Sequence, residues 1–233
     1  VKDCTVTDDC YVNVYAIGTD ESGTENDCRV GGIAGSLYST EIINCSSSAK
    51  VHITDDINKR TYNSANAGGI VGRALYGSVV NCAVVNTDQD VSISGSWTCL
   101  AGGIAGYGEG MTFVKCAASK RVQATEAGSE ACAGGIAGQS AVCKIEDCAY
   151  YGSSINAKKI NGQDNESAGG IVGRAVQAAG SSGGNTSIRY CAYSASLSLD
   201  YIYLANSSSI AVGNVSKRDS FDNIVLVALP KAK

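Results

Sequence analysis

Short alternations of apolar and polar residues recur along this chain at nearly constant intervals. Val12/Val14, Val51/Ile53, Val91/Ile93, Val122/Ala124, Ile155/Ala157 and Leu197/Leu199 each sit among polar neighbours, the period of a strand with one buried face. A second apolar position, Ile42, Val79, Phe113, Ile145 or Ile188, lies three residues before Cys45, Cys82, Cys116, Cys148 or Cys191. A third element reads Gly31-Gly32-Ile33-Ala34-Gly35 and returns at Gly68–Gly72, Gly102–Gly106, Gly134–Gly138 and Gly169–Gly173, with starts 32 to 37 residues apart. Each repeat therefore predicts three short strands.

One such rung cannot bury its own apolar face, whereas stacked rungs share a continuous core. The expected fold is all-β: a parallel β-helix (β-solenoid) of about six three-strand rungs, forming one domain over 1–233. Length variation falls in polar stretches such as Thr54 to Asn66, Thr125 to Ala131 and Lys158 to Ser167, expected to be loops, and in a Gly/Ser-rich insert at Ala179 to Asn185. Cys4 fits the cysteine frame, so the chain is expected to open part-way through a repeat, as a piece of a longer protein with flanking domains or repeats. At the far end 209–213 reads as a degenerate Gly-Gly-Ile strand, and Ile224 stands where the cysteine is expected. The glycines are expected at bends that need positive φ or close backbone approach. Asp3, Asn44, Asn81, Asp147 and Asn223, just before the ladder position, suit a left-handed corner, a pattern Lys115 and Tyr190 break.

Gly68-Gly69-Ile70-Val71-Gly72 followed by Gly77-Ser78-Val79-Val80-Asn81-Cys82-Ala83 resembles the GLUG repeat, and the likeness recurs over nearly the whole chain. The family's Tyr after the Cys is mostly Ala here (Ala83, Ala117, Ala149, Ala192). The resemblance implies a bacterial surface or secreted β-solenoid with an adhesive or accessory role, as in adhesin-like proteins and in immunoglobulin A peptidases whose repeats lie outside the catalytic domain. It supplies no catalytic residue.

Composition narrows the interior and the partners. The chain has 28 Gly, two Phe and one Trp, so small residues fill most core positions. The net charge of −4 comes from scattered residues, and without a basic stripe nucleic acid is not an expected partner. No stretch of eighteen apolar residues occurs, so no membrane insertion is expected of this segment.

Of eleven cysteines, Cys4, Cys45, Cys82, Cys116, Cys148 and Cys191 fall in one register and read as a structural ladder of buried thiols. Cys99 and Cys132 occupy similar places before Gly102 and Gly134 and form a candidate disulfide, if the side chains point together. Cys10, Cys28 and Cys143 lie off the register. Without paired Cys-x-x-Cys, and with His52 the single histidine, no metal or other cofactor is expected; alternation points His52 to solvent. A catalytic triad would also need His52. Asp8/Asp9, Asp55/Asp56, Asp88/Asp90 and Glu146/Asp147 read as solvated charge, calcium at Asp88/Asp90 being the weaker alternative. The recurring glycines continue into strands rather than helices, so they do not cradle phosphate.

Tyr150, Tyr151 and Tyr193, with Tyr201 and Tyr203 nearby, either stack as a platform for sugar rings or a protein, or pack on the wall. The expected function is a non-catalytic binding or spacer module of an extracellular or cell-surface adhesin-like protein, its partner a glycan or a host protein. A carbohydrate-active β-helix enzyme, lyase or hydrolase, is the alternative.

Overall fold

A computed structural model describes residues 1–15, 27–55, 63–85, 88, 90–160, 165–176 and 186–194, together with the backbone of strands at 198–200, 212–215 and 220–221. The chain coils as an all-β solenoid. One turn comprises Asp27–Gly31, Ala34–Tyr38, Glu41–Ile43, Ser46–Ser47 and Lys50–Thr54. Equivalent strands of successive turns pair in parallel and build five walls, named first to fifth in that order. Among the described residues the first wall holds five strands and the others six.

Each turn thus has five strands where three are predicted. The extra two arise at bends: the Gly-Gly-Ile element divides into separate strands on either side of its turn, and the residues after each ladder cysteine form a strand of two residues, too short for alternation to reveal. Four consecutive turns, at 27–54, 64–94, 98–127 and 130–159, have the side chains of all five strands described, and partial turns flank them. The expected loop at Thr125 to Ala131 is mostly strand, since Arg121–Ala127 and Glu130–Gly134 leave two residues between them. Ser64–Gly68 and Glu166–Gly169 likewise take up the ends of the other two expected loops. The insert at Ala179 to Asn185 lies outside the described residues, as do Tyr201, Tyr203, 209–211 and Ile224. Val212 pairs with Val172, and Phe221 with Ile188, in the frame read from sequence.

The core is built from ladders. Ile42, Val79, Phe113, Ile145 and Ile188 line the inside of the third wall in register, and all are fully buried. Val51, Val91, Val122 and Ile155 do the same on the fifth wall. Fully burying such a side chain contributes about 1.5–3 kcal/mol.

The first and second walls do not enclose the core in the ordinary way. They fold back against each other, and the apex of the bend enters the interior, with Ile70, Ile104, Ile136 and Ile171 fully covered. Close approach, not positive φ, explains the apex glycines. A Cβ on Gly103 would lie 2.1 Å from the Gly135 carbonyl oxygen and 2.7 Å from the Ala118 Cβ across the core. A side chain there has no room.

The cysteine corners do need left-handed backbone: φ is 55° at Asp3, 54° at Asn44, 52° at Asn81, 53° at Lys115, 52° at Asp147 and 53° at Tyr190. Lys115 and Tyr190 adopt it although their side chains favour it less. Asn81 Nδ2 donates to Asn44 Oδ1 at 2.9 Å, and Asn44 Nδ2 to Asp3 Oδ1 at 3.0 Å, an amide ladder along the corner.

Inside this corner stack the six ladder cysteines. The Cys4 N–H donates to the Cys45 sulfur at 3.4 Å, and the Cys45 N–H to the Cys82 sulfur at 3.4 Å. Each thiol also points at the carbonyl two residues earlier, as Cys82 does at Val80 (3.3 Å) and Cys191 at Arg189 (3.3 Å). The sulfur therefore satisfies a backbone donor that the bend turns away from any carbonyl, which an alkyl side chain cannot do.

Candidate functional site

Folding two walls against each other leaves a crevice on the outside, running along the solenoid axis. Its first-wall side carries Asp27, Arg29, Ser64, Asn66, Thr98, Leu100, Glu130 and Cys132, placed by the parallel registers Arg29↔Asn66, Asn66↔Leu100 and Leu100↔Cys132. Its second-wall side carries Ser36, Arg73, Tyr107, Gln139 and Arg174 in register. The middle of the crevice is a cleft of about 180 Å³ lined by Asp27, Ser64, Asn66, Arg73, Thr98, Leu100, Tyr107 and Gln139.

Its charged groups are tied together. Asp27 accepts from Arg29 at 2.7 Å and from Arg73 at 3.1 Å, and Glu130 accepts from Arg174 at 2.5 Å and from Gln139 at 3.3 Å. Burial works against the Arg174 charge, but Glu130 beside it holds its pKa above the ordinary value. Arg73 also lies over the Tyr107 ring, 5.4 Å from its centroid, an attractive cation–π contact.

Glu109 joins the crevice to an exposed aromatic patch at its rim. The Tyr107 hydroxyl donates to Glu109 Oε2 at 3.0 Å and the Tyr76 hydroxyl to Oε1 at 2.8 Å. Tyr38 packs edge-on against Tyr76, centroids 5.9 Å apart and planes at 82°. Burial, then the Glu109 charge, pushes the Tyr107 phenol above its usual range. The hydrogen bond to Glu109 does the same at Tyr76.

Of the two arrangements open to the tyrosines, Tyr150 and Tyr193 take packing within the wall rather than an exposed platform. Tyr150 is 0 % and Tyr193 3 % exposed, because they point inward from the fourth wall and their rings fill the space over Gly135 and Gly170. The Tyr150 hydroxyl donates toward the carbonyls of Lys120 (2.8 Å) and Ser154 (3.0 Å). Tyr151 alone of the three is exposed.

Cys99 and Cys132 do not form a disulfide. Cys99 pairs with Ala131 and Cys132 with Leu100, so the two thiols lie on opposite faces of the wall. Cys99 faces the core, whereas Cys132 lies in the crevice floor, 3.2 Å from Glu130 Oε1, where burial and that carboxylate raise its pKa. The offset is present in the sequence: Cys99 precedes its glycine by three residues and Cys132 by two.

His52 points outward as alternation requires, but its ring is held rather than freely solvated, with Nδ1 2.6 Å from Ser92 Oγ and Nε2 2.7 Å from Thr54 Oγ1. Partial burial, then Lys50, lowers its pKa. Asp90 pairs with Arg121 at 2.7 Å. Among the described residues no group of three His, Cys, Asp or Glu side chains is placed to hold a metal.

The crevice itself is not legible in the acid pairs that the sequence offers, none of which lines it. The visible signal is that Arg73, Tyr107, Gln139 and Arg174 follow the last glycine of successive motifs at one place, all with long polar side chains.

The Gly-Gly-Ile apex with its following strands now has a match. Residues 26–52 fit the family model of the GLUG motif. The chain carries a GLUG motif at this place. The matched GLUG stretch spans one full turn, from the first wall into the fifth, and the same frame recurs in the turns that begin at Ser64, Thr98, Glu130 and Glu166. No curated protein and no solved structure matches the chain.

Proposed function

We propose that this GLUG solenoid is a non-catalytic binding module of an extracellular, adhesin-like surface protein, and that it holds its ligand in the crevice between the first and second walls. The observation that carries this reading is the crevice itself: a concave strip of ordered polar and aromatic side chains outside a core that does not depend on them. Concave sites with a few fixed polar groups are where ligands bind, and a repeated wall extends such a strip at no change of fold. Asp27 and Glu130, acids in the crevice, are each engaged by guanidinium groups, which favours holding a ligand over transferring a proton to it.

Binding of the purified chain to arrayed glycans and extracellular-matrix proteins tests the reading, with Thr98→Trp as the variant that fills the cleft. Wild-type binding lost in Thr98→Trp is expected. Binding that Thr98→Trp leaves intact places the ligand elsewhere, and turnover of a polysaccharide panel by the wild-type chain overturns the non-catalytic reading.

A further inference from the structure

The aromatic rim has features that the crevice alone does not require. Tyr38 and Tyr76 are 69 % and 51 % exposed, and large apolar side chains left in solvent side by side mark interaction sites. The Tyr76 ring is also fixed. Its hydroxyl is bonded to Glu109, and it lies over Gly110, where a Cβ would come within 2.6 Å of its Cδ1. Tyr76 itself has φ 54°, a conformation that a bulky residue rarely adopts. The ring is thus held in place before any ligand arrives, which lowers the entropy lost on binding.

Charge then selects the ligand. Among the described residues of the crevice and rim, the three guanidiniums of Arg29, Arg73 and Arg174 are each paired with Asp27 or Glu130, while Glu109 is met by tyrosine hydroxyls. An anionic ligand would face a carboxylate at the rim and find its cations already committed. A neutral ligand that stacks an apolar face on a ring and offers hydroxyls to Glu109, Asn66 and Gln139 meets no such conflict.

We propose that Tyr38, Tyr76 and Glu109 form a subsite for an uncharged sugar, which stacks on the exposed tyrosines and donates hydroxyl hydrogen bonds to Glu109. This rests on the crevice reading above and names its ligand class. A sugar ring has an apolar C–H face and an equatorial girdle of hydroxyls, which matches an aromatic ring beside a carboxylate acceptor.

Calorimetric titration of the whole chain tests it, with neutral hexose and N-acetylhexosamine oligosaccharides, uronate and sialylated oligosaccharides of equal length, and an oligolysine peptide as probes. Neutral oligosaccharides are expected to bind and the acidic ones not. Tyr76→Asn, which removes the ring but tolerates the left-handed backbone, should weaken binding about tenfold or more, as the loss of a stacked ring together with its buried area implies. Tyr76→Phe should lose much less. Glu109→Gln keeps an acceptor and should leave a neutral sugar within a few-fold, whereas it would abolish binding of a cation. Binding of the acidic sugars in preference, binding of oligolysine that Glu109→Gln abolishes, or neutral-sugar binding indifferent to Tyr76→Asn overturns the subsite. If Thr98→Trp still blocks a protein ligand while no sugar binds, the crevice reading stands and the sugar subsite falls.

Discussion

The sulfur of Cys82 accepts the backbone N–H of Cys45, one turn away in the solenoid, at 3.4 Å, and so replaces a carbonyl that the corner cannot offer. The ladder residue is therefore more than a small apolar filler. An aliphatic side chain of the same size would leave that donor buried and unmet.

Cys82→Ala is accordingly expected to destabilise the fold by about 2 kcal/mol, the penalty for stranding a buried donor with a small cavity beside it. Cys82→Ser, which keeps an acceptor, should lose less. Urea denaturation of both variants checks the order, and an alanine variant within about 0.5 kcal/mol of wild type, the range of inert surface changes, would contradict the role given to the sulfur.

Gly103→Ala puts a methyl group 2.1 Å from the Gly135 carbonyl oxygen, with backbone and not a flexible side chain in the way. A loss of about 3 kcal/mol, the upper end of overpacking, or failure to fold is expected. Gly108→Ala, whose Cβ would meet Phe113 Cε2 at 3.1 Å, should be milder. Thermal melts of the two variants side by side read the difference.

Thiol accessibility gives a count. Cys10 is exposed, Cys4 partly so, and the other nine cysteines are buried and unbridged. An aromatic disulfide reagent should label Cys10 quickly, Cys4 more slowly, and the rest only in denaturant, where all eleven react. Nine reactive thiols in denaturant without reductant would mean a disulfide is present after all.

Alkaline pH should expose a contest between an amine and several thiols. Lys120 is fully covered, its ammonium donating to the carbonyls of Ser48 and Ala49, and burial pulls its pKa down to about 8 against a pull upward from Asp90. The unfolded chain binds the extra proton between that value and the ordinary 10.5, so this group adds stability as pH rises through the interval. Burial lifts Cys82, Cys99 and Cys143 from 9.0 to about 12 each. Their folded forms keep protons the unfolded thiols release, so stability falls from pH 9 upward. The urea midpoint should drop between pH 9 and 11, and more steeply in Lys120→Met, where the opposing contribution is gone; a flat profile in both would refute this account.

Much of the fold is written in short-range pattern. The Gly-Gly-Ile frame, the position three before each cysteine and the fifth-wall alternation all pair in the structure as they align in the sequence. What stayed hidden depends on which way a bend opens. Glycine pairs announce close approach but not that the apex points inward, so Asn66 reads as the end of a loop and Cys132 as a partner for Cys99 when both line an external crevice. The direction of Tyr150 stays open in the sequence for a related reason. The residue belongs to a strand of two residues, over which no alternation exists, and only its contact with Gly135 across the core reveals its direction.

The inward apex has one more consequence. Because the side chains that pack the interior and those that line the crevice occupy opposite faces of the same strands, every added turn lengthens the outer strip by one strand spacing, about 4.8 Å, and contributes its own set of outward residues. Those residues stand outside the main apolar cluster, so they can be rewritten turn by turn while the interior ladders keep their partners. The solenoid works like a ruled page, whose lines are held by glycine, isoleucine and cysteine while the text is left to Asn66, Leu100, Tyr107 and Gln139.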